Sequence, residues 1–428
     1  MTEITEITLG ELAQSGLLQL GDGYRTKQSE HGVPGLPILR VAEVLDGEIA
    51  PKFEDYVSDT FRSVMGAKVS QPGDVVLTTK GTVGRVAIIP ADAPAFVYSP
   101  QLCFFRITPE SPVSAPYLYY WFKSEDFWHQ AQYQKGQTDM ADYINLADIR
   151  SLIVKLPPKK AREAATAILG ALDDKIAVSH RIRSVAEQAG KAFFAAHFSE
   201  ALRHVTMNSN LPAEWKVMTL GESVSVFETG TRPRGGVASY STGIPSIGAE
   251  SIQKLGCFDF SKLKYIPEQY FASMRRGILR SHDILVYKDG GRPGEFEPHV
   301  SMFGNGFPFD QMCINEHVYR LRMSRPLSQT FGYFWLASGP LMNEMRIRGT
   351  GVAIPGLNST AAREIPVVHP PVDRLERFDA LAAPLVDKAL NASQEAHLLA
   401  QLRDTLLPKL MSGELRVRDA EKVVEEVT

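Results

Sequence analysis

Arginine and lysine residues beside glycine-rich turns are the side chains of this sequence best suited to contact a polyanion. One such turn is Lys80-Gly81-Thr82-Val83-Gly84-Arg85, and a second runs from Lys288 to Arg292. The densest basic loop is Thr231-Arg232-Pro233-Arg234-Gly235-Gly236. Glycine lets a backbone approach a ligand closely. Basic side chains bind phosphate or guanine, and asparagine and glutamine pair with adenine. The chemistry that these loops predict is contact with a nucleic acid.

The candidate contacts come from these loops and from polar stretches near them. In the first half of the chain they are Arg25, Lys80, Thr82, Arg85, Lys135 and Gln137. In the second half they are Arg232, Arg234, Lys288, Arg292, Arg346, Arg348 and Thr350. Any single basic loop residue is more often a solvated surface charge. The interpretation therefore applies to the set rather than to each member.

The chain as a whole is not basic. It has 428 residues and a formal net charge of −3, so polyanion binding would need local patches or a partner that supplies phosphate attraction. The length predicts two or three domains. The acidic N-terminus lacks the features of a signal peptide, and no apolar run is long enough to span a bilayer. We therefore expect a cytoplasmic protein.

Catalytic signatures are missing from the sequence. It has no Asn/Asp-Pro-Pro-Tyr/Phe loop of adenine methyltransferases, no P-loop and no dinucleotide fingerprint. Its cysteines, Cys103, Cys257 and Cys313, are far apart, and no HExxH motif or close His/Cys cluster occurs, so neither a disulfide nor a metal site is predicted. We expect no catalytic residue, metal or cofactor in this chain.

An internal duplication organises the chain. The run from Thr8 to Leu12 resembles that from Thr219 to Ser223, and Asp74-Val75-Val76-Leu77 matches Asp283-Ile284-Leu285-Val286. The strand pattern Phe104–Ile107 is matched with Val318–Leu321. A constant offset of 213 residues pairs Gly136 with Gly349, Pro157-Pro158 with Pro370-Pro371 and Lys175 with Lys388. Two copies are too few for a solenoid, so the duplication predicts two similar domains.

Each copy has an α+β pattern followed by a Pro-Pro boundary and a long helix. Residues 117–134 and 331–348 are each predicted to form one helix with an aromatic inner face. The long helices carry apolar stripes too long to be buried on one globular part, which predicts an antiparallel coiled coil with pseudo-two-fold symmetry. The expected boundaries are 1–157 and 206–370 for the globular domains, 158–205 and 371–415 for the helices, and 416–428 for a polar tail.

The closing run from Leu406 to Leu415 and the doubled order of globular part, Pro-Pro and long helix resemble the specificity subunits of Type I restriction-modification systems. This resemblance implies two target recognition domains, each reading half of a bipartite site in double-stranded DNA. It implies that the helices dock modification (methyltransferase) subunits and that a restriction and translocation subunit can join. S-adenosylmethionine, ATP and Mg²⁺ would then be bound by those partner subunits.

Two other function classes compete with this interpretation. The first is a coiled-coil adaptor whose globular ends bind proteins without DNA specificity. Basic loops on the same face of both domains would favour DNA over the adaptor. The second is a stand-alone nuclease or methyltransferase, which the missing motifs disfavour. The sequence gives neither the DNA target nor the length of the spacer between its halves.

Overall fold

A computed structural model describes residues 4–134, 143–207, 211, 214–351, 355–415 and 419–420. Two compact units make up the chain: Met1–Asp173 with Gln401–Thr428, and Asp174–Ala400. The long helices α6 (Lys159–Met207) and α12 (Val372–Met411) each contribute residues to both units. The remaining helices and strands each belong to one unit.

The first unit is built around a four-stranded sheet in the order β2-β8-β5-β6, with a three-stranded sheet β4-β3-β7 and a β1–β9 pair. Every residue of β5 is buried, which explains its unbroken apolar sequence. Its strands are β1 (Thr5–Thr8), β2 (Leu18–Asp22), β3 (Gly35–Leu39), β4 (Tyr56–Ser58), β5 (Val75–Thr78), β6 (Val86–Ile88), β7 (Val97–Tyr98), β8 (Leu102–Ile107) and β9 (Ile153–Leu156). Its shorter helices are α1 (Leu9–Gln14), α2 (Arg62–Met65), α3 (Ala115–Lys123), α4 (Glu125–Gln134) and α5 (Leu146–Ser151).

The second unit repeats this plan. Its sheets have the orders β11-β19-β14-β17, β13-β12-β18 and β10-β20, and it adds the hairpin β15-β16. Its strands are β10 (Lys216–Thr219), β11 (Val224–Thr229), β12 (Ile244–Ile247), β13 (Lys264–Ile266), β14 (Ile284–Tyr287), β15 (Gly291–Arg292), β16 (Glu295–Phe296), β17 (Val300–Met302), β18 (Cys313–Ile314), β19 (Val318–Met323) and β20 (Pro366–His369). Its shorter helices are α7 (Leu220–Ser223), α8 (Glu268–Ser273), α9 (Gln329–Leu336), α10 (Gly339–Arg348) and α11 (Ser359–Arg363).

The ladders of the two central sheets set the correspondence between the repeats. Val75 pairs with Phe105, whereas the matching Ile284 pairs with Leu321. Phe104–Ile107 therefore corresponds to 320–323, and the sequence match to Val318–Leu321 is wrong by two residues. A slip of two residues keeps every side chain on the same face of a strand, so alternation of polarity alone cannot reveal it.

The prediction of one helix over 117–134 and one over 331–348 is also wrong, because each region contains two helices. The first pair meets at Ser124, whose hydroxyl donates to the Trp121 carbonyl oxygen at 2.7 Å. The second pair meets at Ser338, whose hydroxyl donates to the Trp335 carbonyl oxygen at 2.7 Å. The aromatic faces are buried as predicted, with Trp121 and Trp335 at most 2% exposed.

The long helices pack antiparallel within each unit, as predicted. In the second unit, the Ser179 hydroxyl donates to the Glu395 carboxylate at 2.9 Å, and the rings of Phe194 and Phe378 lie 5.9 Å apart. Residue numbers thus rise along α6 while they fall along α12. Helix α12 ends at Met411, and Gly413 follows with a φ of 76°, a conformation that favours glycine at a helix end.

The packing between globular part and helices differs chemically between the repeats. In the first unit, Tyr120 and Arg403 both donate to the Asp173 carboxylate, at 2.7 and 2.6 Å. Burial and the Asp173 charge raise the pKa of Tyr120, which keeps its hydroxyl protonated as a donor. In the second unit the matching position of Tyr120 is Phe334, which packs on Gly190 in α6. One repeat therefore uses a polar triad where the other uses apolar contact.

Candidate nucleic-acid interface

Three segments of the first unit meet at one end of its central sheet. The chain leaves β2 at Gly23, whose N–H donates to the Leu102 carbonyl at 3.0 Å. It leaves β5 at Thr79, which donates to Gln101 at 2.9 Å and accepts from Ile144 at 3.0 Å. Because β2 and β5 both run antiparallel to β8, their last residues lie beside the start of β8. These bonds hold the loops that carry Arg25 and Lys80 next to each other.

The turn after β5 presents some of its polar groups to solvent and turns others inward. The Thr78 hydroxyl donates to the Thr82 carbonyl at 2.5 Å and accepts from the Arg85 N–H at 2.9 Å, which closes the turn. Lys80 and Thr82 are exposed. The Lys80 ammonium lies 5.9 Å from the centre of the Tyr143 ring. Arg85 is half-buried and donates to the Val44 carbonyl at 3.4 Å, so it is less accessible to a ligand than Lys80.

The same loops meet in the second unit through matching bonds. Lys288 donates its N–H to the His317 carbonyl at 3.0 Å, and Leu357 donates to the Lys288 carbonyl at 2.8 Å. Gly230 takes the place of Gly23. A Cβ at Gly230 would lie 1.6 Å from the Ile314 carbonyl oxygen, so only glycine fits there. The loop carrying Arg232 is thereby fixed close to the segment from Ile314 to His317.

Charge distinguishes the two loop clusters. In the second unit, Arg232 pairs with Glu316 at 2.6 Å, and Asp289 pairs with His317 at 2.9 Å and with Lys288 at 3.1 Å. The matching positions in the first unit hold Pro100 for Glu316, Gln101 for His317 and Lys80 for Asp289. The first cluster is therefore cationic, whereas positive and negative groups alternate in the second.

A polar cavity of about 240 Å³ opens beside Arg232 in the second cluster. Its lining includes both donors and acceptors of hydrogen bonds. Tyr287 and Val237 contribute the larger apolar surfaces. The polar residues of the lining are Arg232, Ser246, Glu250, Lys264, Asp289, Asn315 and His317. A cavity with this mixture suits a ligand edge that itself carries both donors and acceptors, as base edges do.

The other predicted contacts lie outside these clusters or are engaged within the protein. Arg234 and Arg346 are exposed. Arg292 stands on the β15-β16 hairpin, 3.9 Å from the Glu297 carboxylate. Arg348 pairs with Glu344 at 2.8 Å, and Thr350 exchanges backbone hydrogen bonds with Gly356. Lys135 and Gln137 lie outside the described residues.

Sequence reasoning missed a buried ionic group in each unit, at the end of the central sheet opposite the loop cluster. In the first unit, the Asp74 carboxylate accepts from Arg106 Nε at 2.8 Å and from the Tyr98 hydroxyl at 2.8 Å. Burial and the Asp74 charge raise the pKa of Tyr98, so this hydroxyl stays a donor. In the second unit, Asp283 contacts Arg320 and lies 2.6 Å from Arg322 Nε. The signal was present, because an aspartate precedes both matched strands.

Within the described ranges, no three His, Cys, Asp or Glu side chains are grouped closely enough to hold a metal ion. Burial raises the pKa of Cys313 to about 11, so its thiol stays protonated near neutral pH and is a poor nucleophile. No helix in these ranges is both long and apolar enough to cross a membrane.

Comparison with known proteins agrees with this architecture. Residues 1–188 match the family model of the Type I restriction modification DNA specificity domain. The chain is 23% identical over 362 residues to the Type I restriction enzyme MjaIX specificity subunit of Methanocaldococcus jannaschii, covering 82% of this chain and 80% of that protein. It shares its fold with the S subunit of a Type I restriction-modification system from M. genitalium, with a TM-score of 0.55, 14% identity and 96% of both chains covered. These matches show that residues 1–188 are similar to the Type I restriction modification DNA specificity domain and that the chain shares its fold with a solved S subunit.

Proposed function

We propose that this chain is the DNA-recognition subunit of a Type I restriction-modification complex. Residues 1–157 and 206–370 act as target recognition domains, and each reads one half of a bipartite site in double-stranded DNA. The observation that carries the proposal is the repeated loop cluster, which is built by matching hydrogen bonds in a chain whose residues 1–188 match a DNA specificity domain. Duplicated domains with different side chains at matched positions suit two different half-sites.

The two clusters offer different kinds of groups for contact with DNA. Exposed Lys80 and Arg25 suit phosphate oxygens, which position a protein without reading sequence. The side chains around the second cavity offer fixed donors and acceptors, which suit base edges in the major groove. With a formal net charge of −3, the chain relies on partner subunits for part of its attraction to DNA.

The chemistry of the complex belongs to its partners in this proposal. The long helices α6 and α12 dock the modification subunits, which bind S-adenosylmethionine and methylate adenine. A restriction and translocation subunit, where present, binds ATP and Mg²⁺. This chain supplies recognition and a fixed spacing between the half-sites, and it performs no catalysis.

The competing adaptor role, without DNA specificity, is not favoured by the comparisons, because the family that matches residues 1–188 is a DNA specificity domain. An adaptor role would also not explain why the second repeat has a polar cavity at the position where the first repeat has a cationic cluster.

Methylation mapping tests the proposal directly. Genomic DNA is sequenced from cells that express this chain with its cognate modification subunit, and from cells that express either protein alone. We expect a bipartite adenine-methylated motif that requires both proteins. Exchange of residues 206–370 for the matching domain of a relative should change one half of the motif and leave the other intact.

One substitution distinguishes DNA recognition from assembly of the complex. Lys80→Ala removes an exposed charge that makes no ion pair among the described residues, so the complex should assemble normally while binding DNA more weakly. If no motif depends on this chain while the modification subunit is active with another specificity subunit, DNA recognition is not its function and the adaptor becomes the better explanation.

A further inference from the structure

The second recognition cluster contains an arginine that is held in place by a carboxylate. Arg232 Nε lies 2.6 Å from the Glu316 carboxylate, yet the Arg232 side chain remains 54% exposed. The Glu316 oxygens are shielded from solvent, and neither meets a donor at hydrogen-bonding geometry within the part of the chain described, so the contact is an ion pair. The contact at Nε leaves more than half of the Arg232 side chain open to a ligand.

We propose that Arg232 reads a guanine in the second half-site and that Glu316 is its positioning residue. This inference rests on the proposed function. Two terminal amino groups of an arginine match the O6 and N7 acceptors of guanine in the major groove. A guanidinium already fixed by a carboxylate loses less side-chain freedom when it binds, which favours one base edge over a general contact with phosphate.

The surroundings of Arg232 limit its movement further. The neighbouring Thr231 hydroxyl accepts a hydrogen bond from Tyr270 in α8 at 2.9 Å, and Gly230 packs so closely on the Ile314 carbonyl that a Cβ would lie 1.6 Å from its oxygen. Glu316 also lies 3.5 Å from His317 Nε2, which keeps the carboxylate beside the cavity wall. The backbone at one end of the Arg232 side chain and the Glu316 carboxylate at its other end are therefore both held in place.

The first unit provides an internal comparison. Arg25 occupies the position that matches Arg232, but Pro100 stands where Glu316 stands. In the described part of the chain Arg25 makes no ion pair, and it is exposed. An arginine without a positioning carboxylate adapts to phosphate rather than to one base. The two matched arginines therefore have different roles, and of the two only Arg232 reads a base.

The test uses the full chain in complex with its cognate modification subunit. Once mapping has defined the motif, duplexes carrying single base-pair changes through both half-sites compete for binding. The variants are Arg232→Ala, Arg232→Lys, Glu316→Gln and Glu316→Asp, with Arg25→Ala as the matched control. Thermal unfolding of each complex reports whether it is folded.

At one guanine of the half-site read by residues 206–370, R232A should lower discrimination roughly 5- to 150-fold. R232K should lose the same discrimination while keeping overall affinity, because lysine preserves the charge but not the two-pronged geometry. E316Q should lower discrimination about threefold to tenfold, and E316D should restore part of it. R25A should instead weaken all duplexes alike and reduce the salt slope of binding by about one.

Three results would overturn the inference. Uniform weakening by R232A across all duplexes would make Arg232 a phosphate contact. Unchanged base preference in a folded E316Q complex would remove Glu316 as a positioning residue. A wild-type complex without any sequence preference would refute the proposed function itself, and the assignment of Arg232 with it.

Discussion

Replacing Asp74 with asparagine tests whether the buried ionic group of the first central sheet is needed for stability. The Asp74 side chain is 1% exposed and accepts from Arg106 Nη2 at 2.7 Å, Tyr98 at 2.8 Å and the Gln71 N–H at 2.9 Å. Asparagine would turn an amide donor toward these donors. Removing the charge of one partner of a buried ion pair lowers the free energy of unfolding by about 3–5 kcal/mol. Because the Arg106 side chain keeps 18% exposure, we expect Asp74→Asn to lower the free energy of unfolding by about 3 kcal/mol.

The assay is thermal unfolding of the complex, with hydrogen exchange in β5 to assign the loss to the first unit. A loss of about 3 kcal/mol in a unit of this size corresponds to roughly 6–12 °C. Asp59→Asn is the control, because its pair with Arg62 is exposed and worth at most about 1 kcal/mol. The double variant Asp74→Asn with Arg106→Met should be less damaged than D74N, since no charge is left buried alone. A D74N loss no larger than that of D59N would refute this reasoning.

The remaining predictions follow from packing and from titration. In α6, Gly170→Ala should stabilise the first unit by about 1 kcal/mol through helix propensity, because a Cβ there meets only the Tyr120 hydroxyl at 3.9 Å. Gly190→Ala should instead cost roughly 1–2 kcal/mol, because its Cβ would lie 2.3 Å from the Phe334 ring; equal effects in urea unfolding would contradict this. Burial lowers the pKa of His299, His369 and His397, so their folded forms resist protonation. Unfolded histidine gains a proton near pH 6.5, and the second unit should lose stability as the pH falls through about 6.5 toward the lower folded-state pKa values. His397→Phe keeps the stack on Phe260, whose ring centroid is 4.2 Å away, and should flatten that slope; an unchanged slope would exclude His397 as a contributor.

Features with a local or periodic signature could be predicted from the sequence. The duplication, the antiparallel long helices and the buried aromatic faces were of this kind. The break at Ser124 was not, because serine is only a weak helix breaker and the break depends on a hydroxyl that caps the preceding turn. The break at Ser338 did have a signal that the prediction overlooked, because Gly339-Pro340 follows it and proline belongs at the start of a helix rather than in its interior. The two-residue error in matching β8 with β19 arose because both registers keep the same faces buried.

The candidate site was predictable in position but not in charge. Glycine-rich turns with basic residues marked loops that the fold brings together in both repeats. Some partners of those residues are distant in sequence: Arg232 pairs with Glu316, and Arg348 contacts Glu364 in addition to its near neighbour Glu344. Only the fold brings such pairs together. Contact of any of these residues with DNA stays a prediction.

The different packing of Tyr120 and Phe334 has a consequence for how such a gene can vary. Repeated coding segments invite unequal recombination, which could place the second globular domain on the helix ends that serve the first. Phe334 would then replace Tyr120 beside Asp173 and Arg403, and the carboxylate would lose its phenol donor. The reciprocal product would set a tyrosine hydroxyl against Gly190, where Phe334 now packs. Divergence at this position should therefore make an exchanged domain fit less well on the helices of the other repeat.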